Sequence, residues 1–326
     1  MKRARIISTG YYLPEKILTN KDLEKMVDTS DEWITKRTGI KTRHIAAPDE
    51  AASDMGIKAA RMAISKASIN TKDIDMIICA TITPDHLFPS TAAVMQNKLG
   101  IKNSSAFDLS AACSGYIYAL SVAESFLLQN KADNVLVVAS EKLSCITDWE
   151  DRNTCVLFGD GAGAALLQRS EGESGILSSY LQADGSLGDL LILPAGGSRK
   201  PASKETLENR DHYLKMEGNE VFKVAVRRMI EASKKSISDA GIEPEDIRLV
   251  IPHQANKRII EAIRTKLNLT DDRVYTNLDH TGNTSAASIA IAMGEGEDKG
   301  RIKTGDIINI VSFGGGFTWA GMTIKW

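Results

Sequence analysis

The stretch "ASINTKDIDMIICA" (residues 67–80) occurs a second time, in altered form, as "AGIEPEDIRLVIPH" (240–253). The two stretches share alanine, isoleucine and aspartate at matching positions, and each follows a segment of helical periodicity. A second pair, "ADNVLVVAS" (132–140) and "GDIINIVSF" (305–313), is separated by the same 173 residues. Two similarities at one offset indicate that the chain contains an internal duplication.

The duplicated segments also predict the fold class. Runs such as "VLVVAS" are continuously apolar, which is typical of strands buried on both faces of a sheet. The segment after residue 113 is apolar nearly all round and predicts a helix in the centre of the molecule. We therefore predict a five-layered α/β sandwich (αβαβα) built from two halves, residues 1–172 and 173–326. The polar stretch 195–213 predicts a loop between them.

Composition excludes several classes of protein. The 326 residues are 43% hydrophobic and carry a formal net charge of −2, which provides no overall attraction for nucleic acid. No apolar run approaches the roughly 20 residues that cross a bilayer, and the N-terminus does not resemble a signal peptide. Four cysteines without a CxxC spacing predict neither a disulfide framework nor a zinc site. We expect a reduced, cytoplasmic protein without a membrane segment.

Cys113 lies in "FDLSAACSGYIYALSVAESFLLQ" (107–129), where a strand-like run ends and the apolar helix begins. The unpaired amides and the dipole of a helix N-terminus favour a thiolate, and the small neighbouring residues leave room for a substrate. The alternative is that Cys113 is a small apolar filler. This segment alone leaves both interpretations open. Cys79, Cys145 and Cys155 are interpreted as structural.

Three further features could assist a thiol nucleophile, which needs a base or an oxyanion partner. His253 follows a buried strand in "PHQAN", and Asn283 precedes an apolar helix in "GNTSAAS". Three glycines in "FGGGFTW" would allow backbone amides to approach a ligand closely. Each feature also has a structural explanation: a satisfied histidine, a capping asparagine and a tight turn. The glycines of "FGDGAGAALL" (158–167) are interpreted as close strand packing.

The segment around residue 33 has features of a nucleotide site. Thr29 and Glu32 have the spacing of a capping box, so a helix is predicted from about residue 30 to Gly39. Trp33 and Arg37 then lie on one face of that helix. An aromatic ring beside a guanidinium can stack on a base and pair with a phosphate, although a buried tryptophan beside an unrelated arginine is equally compatible with the pattern.

Eight stretches, in this order, resemble the β-ketoacyl-acyl-carrier-protein synthase III family of the thiolase superfamily: "TSDEWITKRTGI", "FPST", "SAACSGY", "WEDRNTCVLFGDGAGAA", "GNEVFKVAV", "PHQAN", "GNTSAAS" and "FGGGFTW". The resemblance covers nearly the whole chain and implies a thiolase-like fold. It implies an acyltransferase that starts type II fatty-acid synthesis. An acyl group from acetyl-CoA or a similar short acyl-CoA would pass to Cys113 and then condense, with loss of CO2, with malonyl-acyl carrier protein.

The resemblance also implies roles for individual residues. Cys113, His253 and Asn283 would form the catalytic triad, and the backbone N–H groups of Cys113 and Gly315 would form the oxyanion hole. No metal or redox cofactor would be required. The residues implied in coenzyme A binding are Thr29, Trp33, Arg37, Arg152 and Asn256.

Three binding surfaces follow from the same resemblance. Phe313 would border the acyl pocket, and Phe88, in the loop "HLFPST" (86–91), would close the pocket of a partner subunit in a homodimer. The carrier protein of this family is acidic, so a basic docking patch is expected on and around the helix that follows His253. Its expected members are Gln254, Ala255, Asn256, Lys257, Arg258, Arg264 and Lys266, with Lys223 as a further candidate.

Several related activities remain to be weighed. A thiolase would need a second cysteine near the C-terminal glycines, whereas all four cysteines precede residue 156. An elongating condensing enzyme would have histidine in place of Asn283, and a plant-type polyketide synthase would be longer. A condensing enzyme of secondary metabolism and an inactive acyl-binding or carrier-binding subunit remain as alternatives. Thr281 stands where the family pattern leads us to expect a larger residue, and the 195–213 stretch is longer than in typical members.

Overall fold

The computed structural model describes residues 2–326 and contains ten α-helices and thirteen strands in that range. The strands are β1 (Arg3–Tyr12), β2 (Lys16–Thr19), β3 (Thr42–Ile45), β4 (Met76–Ala80), β5 (Ser105–Leu109), β6 (Asn134–Glu141), β7 (Gly161–Ser170), β8 (Gly175–Ala183), β9 (Leu191–Ile192), β10 (Lys215–Met216), β11 (Leu249–Pro252), β12 (Ile307–Gly314) and β13 (Thr318–Lys325). The helices are α1 (Asn20–Leu23), α2 (Asp31–Thr38), α3 (Ala52–Ala67), α4 (Thr91–Lys98), α5 (Gly115–Leu128), α6 (Lys204–Glu208), α7 (Gly218–Asp239), α8 (Lys257–Lys266), α9 (Leu278–Thr281) and α10 (Ala287–Asp298).

Two mixed sheets repeat one strand order. The first runs β1-β7-β6-β4-β5, and the second, read from the other edge, runs β8-β13-β12-β11. The pairing of β6 with β4 and that of β12 with β11 are parallel, and the two pairings before them in each order are antiparallel; the first sheet has one further parallel strand, β5, next to β4. The sheets therefore repeat the topology that the sequence duplication suggests. The predicted boundary at residues 172/173 falls in the turn between β7 and β8 and, as a domain boundary, remains a prediction.

The layers follow the predicted αβαβα order. α3 packs on the outer face of the first sheet, α7 packs on the outer face of the second, and α5 and α10 lie between the sheets. Side chains of β6 explain why its sequence is continuously apolar. Val135 and Val137 face the central layer, while Leu136 and Val138 pack in the outer core against α3. A strand covered on both faces needs apolar residues at every position.

The central helices approach the first sheet closely. An added Cβ at Gly163 on β7 would lie 2.4 Å from the Cβ of Ala290 on α10. This contact confirms the interpretation of the "FGDGAGAALL" glycines as strand packing. Every residue from Ala287 to Gly296 of α10 is buried, as expected for a helix enclosed between two sheets.

The 195–213 stretch is less irregular than predicted. It contains α6, whose N-cap Ser203 accepts a hydrogen bond from the Thr206 amide at 3.2 Å. Arg210 binds both carboxylate oxygens of Asp148, which ties the stretch to the body of the protein. No helix within residues 2–326 is both long and apolar enough to cross a membrane.

Candidate active site

Cys113, His253 and Asn283 border one cavity of about 300 Å³. The cavity lies where the N-terminal ends of α5 and α10 meet the carboxyl ends of β11 and β12. Most of its remaining lining is apolar, including Ile82 and Phe313. The structure thus brings together three predicted residues from sequence positions that are far apart.

The backbone around Cys113 is held tightly. Cys113 lies in a 3₁₀ turn (Ala112–Ser114) that leads directly into α5. Ser312 donates a hydrogen bond to the Cys113 carbonyl at 2.7 Å, and an added Cβ at Gly314 would lie 2.5 Å from the Cys113 nitrogen. A side chain at residue 314 would therefore displace the nucleophile, which explains the glycine there.

The helix N-terminus does not by itself produce a thiolate. Burial is the main cause that raises the pKa of the Cys113 thiol, to about 11 overall; the Ser285 hydroxyl acts to lower this pKa, and the negative charge of Glu141 acts to raise it. Loss of hydration is therefore the largest influence on the pKa of this thiol. Our expectation that the helix terminus favours a thiolate is wrong for the free protein, in which Cys113 is a protonated thiol at neutral pH.

His253 is held as a neutral hydrogen-bond donor. Its backbone N–H bonds to the Val311 carbonyl at 2.8 Å, and its Nδ1 lies 2.6 Å from the Ser288 hydroxyl. Among residues 2–326 that hydroxyl has no other acceptor for its hydrogen, so the hydrogen is assigned to Nδ1 and the ring proton to Nε2. Burial lowers the pKa of His253 to about 3.

Asn283 is oriented by its own turn. Its side-chain oxygen accepts a hydrogen bond from the Ser285 backbone N–H at 2.9 Å, which leaves the amide NH2 group to act as a donor. Its backbone bonds to the segment before β7 through Leu157 and Gly159. Ala112 and Ser285 are separated by 173 residues, the offset of the internal duplication, so they are equivalent positions of the two halves. Ser285 has φ +49° and Ala112 has φ +46°, and both halves therefore share one unusual backbone conformation here. Thr281 is buried, and its hydroxyl bonds to the Asn277 carbonyl.

The predicted nucleotide-binding residues cluster at α2. The guanidinium of Arg152 lies 4.5 Å from the centre of the Trp33 ring, and that of Arg37 lies 5.9 Å from it. The N-cap of α2 is Ser30 rather than Thr29, because the Ser30 hydroxyl is the group that accepts the Trp33 amide. The predicted capping box is therefore wrong, and the buried Thr29 hydroxyl has no partner among residues 2–326.

The mouth of the cavity joins α2 to α8. Asn256 borders the cavity, caps α8 through the Arg258 amide, and donates from its side chain to the Arg37 carbonyl at 3.2 Å. Lys257 and Arg258 are exposed beside it, and Arg258 lies over the Phe222 ring at 5.1 Å.

Several residues of the predicted docking patch are buried, border the cavity or form ion pairs. Gln254 is fully buried, and its side chain bonds to the Pro252 carbonyl and the Asn277 amide. It supports the loop and has no surface for a partner, so its assignment to the docking patch is wrong. Ala255 borders the cavity. Arg264 pairs with Glu261, and Lys223 pairs with Glu220.

One wall of the cavity could not be foreseen from sequence. The short β9–β10 pair and its flanks contribute Leu191, Leu193, Leu214 and Met216 to the lining. The sequence indicates this wall only through several leucines without regular spacing beside a polar stretch. Phe88, by contrast, is 86% exposed and lies away from this cavity, as does Leu87 at 87%.

The comparisons with known proteins agree with this geometry. The family model "3-Oxoacyl-[acyl-carrier-protein (ACP)] synthase III" matches residues 107–185, and its C-terminal counterpart matches residues 237–326. A β-ketoacyl-[acyl-carrier-protein] synthase III from Caldanaerobacter subterraneus is 58% identical over 99% of this chain and 98% of its own. The chain belongs to the β-ketoacyl-acyl-carrier-protein synthase III family. It is an acyl-transferring condensing enzyme, of the kind that initiates type II fatty-acid synthesis.

Two solved structures of related enzymes share the whole architecture. The enzyme from Aquifex aeolicus is 50% identical, with a TM-score of 0.92 over 99% of this chain and 100% of its own. The priming β-ketosynthase of a polyketide biosynthetic pathway is 33% identical, with the same TM-score over 99% and 96% of the two chains. These matches confirm the predicted thiolase-like fold.

Proposed function

We propose that this synthase III transfers an acyl group from acetyl-CoA or a similar short acyl-CoA to Cys113, then condenses it with malonyl-acyl carrier protein. The products are 3-oxoacyl-acyl carrier protein, CoA and CO2. The observation that supports this best is the convergence of Cys113, His253 and Asn283 on one apolar cavity. No metal or redox cofactor takes part in this scheme.

In the first half-reaction, the sulfur of Cys113 attacks the thioester carbonyl and the CoA thiolate leaves. The backbone N–H groups of Cys113 and Gly315 hold the developing oxyanion, since fixed amide dipoles need little reorganisation. The apolar walls accept the acyl chain, with Phe313 at the lining.

In the second half-reaction, the malonyl thioester loses CO2 and becomes an enolate. The Nε2–H of His253 and the amide of Asn283 donate hydrogen bonds to the enolate oxygen. A histidine that stays neutral suits this role because it can donate without first accepting a proton. The enolate carbon then attacks the acyl-cysteine, and Cys113 leaves as a thiolate.

The binding surfaces extend the proposal beyond the cavity. Trp33 and Arg152 would hold the adenine of CoA, with Thr29, Arg37 and Asn256 along the cofactor arm. Because Arg152 lies directly over Trp33 in the free protein, the arginine must swing outward to admit a base. Lys257 and Arg258 would contact the acidic carrier protein at the mouth of the cavity.

We also propose a homodimer in which Phe88 closes the partner's pocket. Among residues 2–326, the adjacent Leu87 and Phe88 are the most exposed large apolar side chains, at 87% and 86%. A partner subunit would remove this apolar area from water, which favours association.

A second candidate is a condensing enzyme that primes secondary metabolism, favoured by the 33% identity to a polyketide-priming β-ketosynthase. Intact-protein mass spectrometry with acetyl-, isobutyryl- and octanoyl-CoA separates the possibilities. One adduct on the wild type and none on Cys113→Ala supports the proposed nucleophile, and the preferred thioester identifies the primer.

Discharge of the adduct by malonyl-acyl carrier protein would then complete the proposed reaction. An acyl-enzyme that this substrate cannot discharge would favour the secondary-metabolism candidate. A wild type that forms no adduct with any of the three thioesters would contradict the assignment of Cys113.

A further inference from the structure

Arg43 is a buried arginine to which the proposed mechanism gives no role. It lies on β3, and its side chain is completely buried. Among residues 2–326 no aspartate or glutamate forms an ion pair with it. Burial lowers the pKa of its guanidinium to about 10, so the group still carries its charge at neutral pH. A buried charge without a counter-charge is costly, and packing alone does not explain an arginine here.

The guanidinium of Arg43 is held by three neutral oxygen atoms. Its Nη1 donates to the side-chain oxygen of Asn20 at 2.9 Å and to the Leu18 carbonyl at 3.3 Å. Its Nη2 donates to the Val156 carbonyl at 2.8 Å, whereas the buried Nε has no partner among residues 2–326. The planar group thus bridges two segments that are more than 130 residues apart in sequence.

Asn20 fixes one end of this bridge. It is the first residue of α1 and is buried. Its side-chain amide donates to the Asp31 carboxylate and to the Ile40 carbonyl, both at 2.8 Å. Asp31 begins α2, and Ile40 follows the end of that helix. The side-chain oxygen of Asn20 therefore has a fixed position from which to accept the hydrogen bond of Arg43.

The other end of the bridge reaches the segment that holds Asn283. Val156 directly precedes Leu157, whose carbonyl accepts a hydrogen bond from the Asn283 N–H at 2.9 Å. The Gly159 N–H donates to the Asn283 carbonyl at 3.0 Å. Arg43 therefore anchors, one residue away, the backbone that fixes Asn283 beside the cavity.

The aliphatic part of Arg43 packs against the same turn. An added Cβ at Gly159 would lie 3.0 Å from the Cβ of Arg43, and one at Gly282 would lie equally close. Such a distance is shorter than ordinary van der Waals contact, so the side chain lies directly against the backbone of both glycines. Gly282 precedes Asn283 in sequence. Arg43 thus contacts the turn by packing as well as by the bond to Val156.

We propose that Arg43 is a positioning residue for Asn283 and holds its amide where the enolate oxygen forms in the condensation half-reaction. This inference rests on the proposed function, in which Asn283 donates to that oxygen. Arg43 does not border the cavity and touches no substrate, so it acts only through the backbone. Cys113 is held from β12, where Ser312 binds its carbonyl. The acylation half-reaction should therefore not depend on Arg43.

Separate measurement of the two half-reactions tests this role. Arg43→Lys keeps the charge, but a single ammonium replaces the planar fork that spans the two acceptors. Arg43→Met removes the charge as well. Both variants should form the acyl adduct on Cys113 at a rate within about twofold of wild type. CO2 release from malonyl-acyl carrier protein should fall roughly 10- to 100-fold in kcat with KM unchanged, because a displaced donor stabilises the enolate less well.

A double-mutant cycle establishes whether Arg43 acts through Asn283. In the Asn283→Ala background, Arg43→Lys should reduce the remaining CO2 release by less than about twofold, because the donor that it positions is already absent. A full additional loss in the double variant would mean that Arg43 acts elsewhere and would overturn the inference. Equal losses of adduct formation and condensation in the single variant would do the same, since a general loss of structure affects both steps.

Arg273→Lys is the matched control. Arg273 also donates to backbone carbonyls, from Nε to Ile247 at 3.0 Å and from Nη2 to Pro244 at 2.7 Å. These contacts lie before β11, at the opposite end of that strand from His253, so both half-reactions should keep wild-type rates.

Two results would overturn the inference and leave the proposed function intact. One is normal condensation in Arg43→Lys or in Arg43→Met, and the other is a selective loss of condensation in Arg273→Lys. A wild-type protein that forms no acyl adduct would overturn the proposed function and this inference together.

Discussion

At the scale of single residues, one hydrogen bond sets the chemistry of His253. The Ser288 hydroxyl occupies Nδ1, and burial keeps the ring neutral. A neutral imidazole with its proton on Nε2 can stabilise an enolate but is a poor acceptor for the thiol proton. His253 therefore suits the proposed role of hydrogen-bond donor to the enolate better than that of base for Cys113.

The proposed donor roles of His253 and Asn283 predict how the two half-reactions respond to mutation. His253→Ala and Asn283→Ala should still form the acyl adduct on Cys113, while condensation with malonyl-acyl carrier protein falls at least about 100-fold because the enolate loses a donor. Adduct mass and CO2 release measure the two steps separately. Loss of the adduct in His253→Ala would instead show that the imidazole takes the thiol proton.

Burial of His253 also affects stability. Its folded pKa, about 3, lies below the ordinary 6.5, so the unfolded chain binds the proton more tightly as pH falls below 6.5. The contribution of the neutral, buried His253 to the unfolding free energy is complete above pH 6.5 and is lost progressively as the pH falls towards 3. Between pH 6.5 and 4.5, wild type should lose about 2 kcal/mol more unfolding free energy than His253→Asn.

Urea denaturation at the two pH values measures this difference. Because His253→Asn differs from the wild type at this one titratable group, the difference between the two pH dependences isolates the contribution of His253. An equal pH dependence in wild type and His253→Asn would mean that the folded protein admits a proton at His253.

At the scale of elements, the contact between β7 and α10 fixes the position of the catalytic turn. Gly163→Ala would place a Cβ 2.4 Å from that of Ala290, and α10 begins four residues after Asn283. We expect the unfolding free energy of this variant to fall by about 1–3 kcal/mol because the core is overpacked. Gly185→Ala, where nothing lies within 4 Å of the added Cβ, should be nearly neutral in the same denaturation experiment.

The elements differ in how well sequence predicts them. Strands such as β4, β6, β11 and β12 were predictable because burial on both faces demands an uninterrupted apolar run. The N-cap of α2 was not predictable from sequence, because Thr29 and Ser30 are both good N-cap residues and only the backbone geometry selects Ser30. The β9–β10 wall was missed because two-residue strands carry no periodicity.

Site residues were predictable where a motif marks them, as for Cys113, His253 and Asn283. Their protonation states were not, because desolvation depends on the three-dimensional surroundings. Gln254 lies among exposed polar residues in sequence, yet its side chain turns inward to bond the backbone.

At the scale of the whole molecule, a net charge of −2 means that attraction for an acidic carrier protein must be local. Lys257→Glu with Arg258→Glu should raise KM for malonyl-acyl carrier protein about tenfold at low salt with little change in kcat, and the difference should shrink as salt increases. Lys72→Glu with Lys303→Glu is the matched control, because both lysines are exposed, lie outside the predicted patch and change the net charge by the same amount. An equal effect of this control pair would show that overall charge, and not the predicted patch, determines KM.

The shared backbone conformation of Ala112 and Ser285 has a consequence for how such a centre can arise. A symmetric pair of identical half-length chains would carry the same side chain on both sides of its axis, so every substitution would occur twice. Joining the halves in one chain removes that restriction. A thiol can then occupy one side of the axis while an amide, a hydroxyl and an imidazole occupy the other, and each side can change without altering its counterpart.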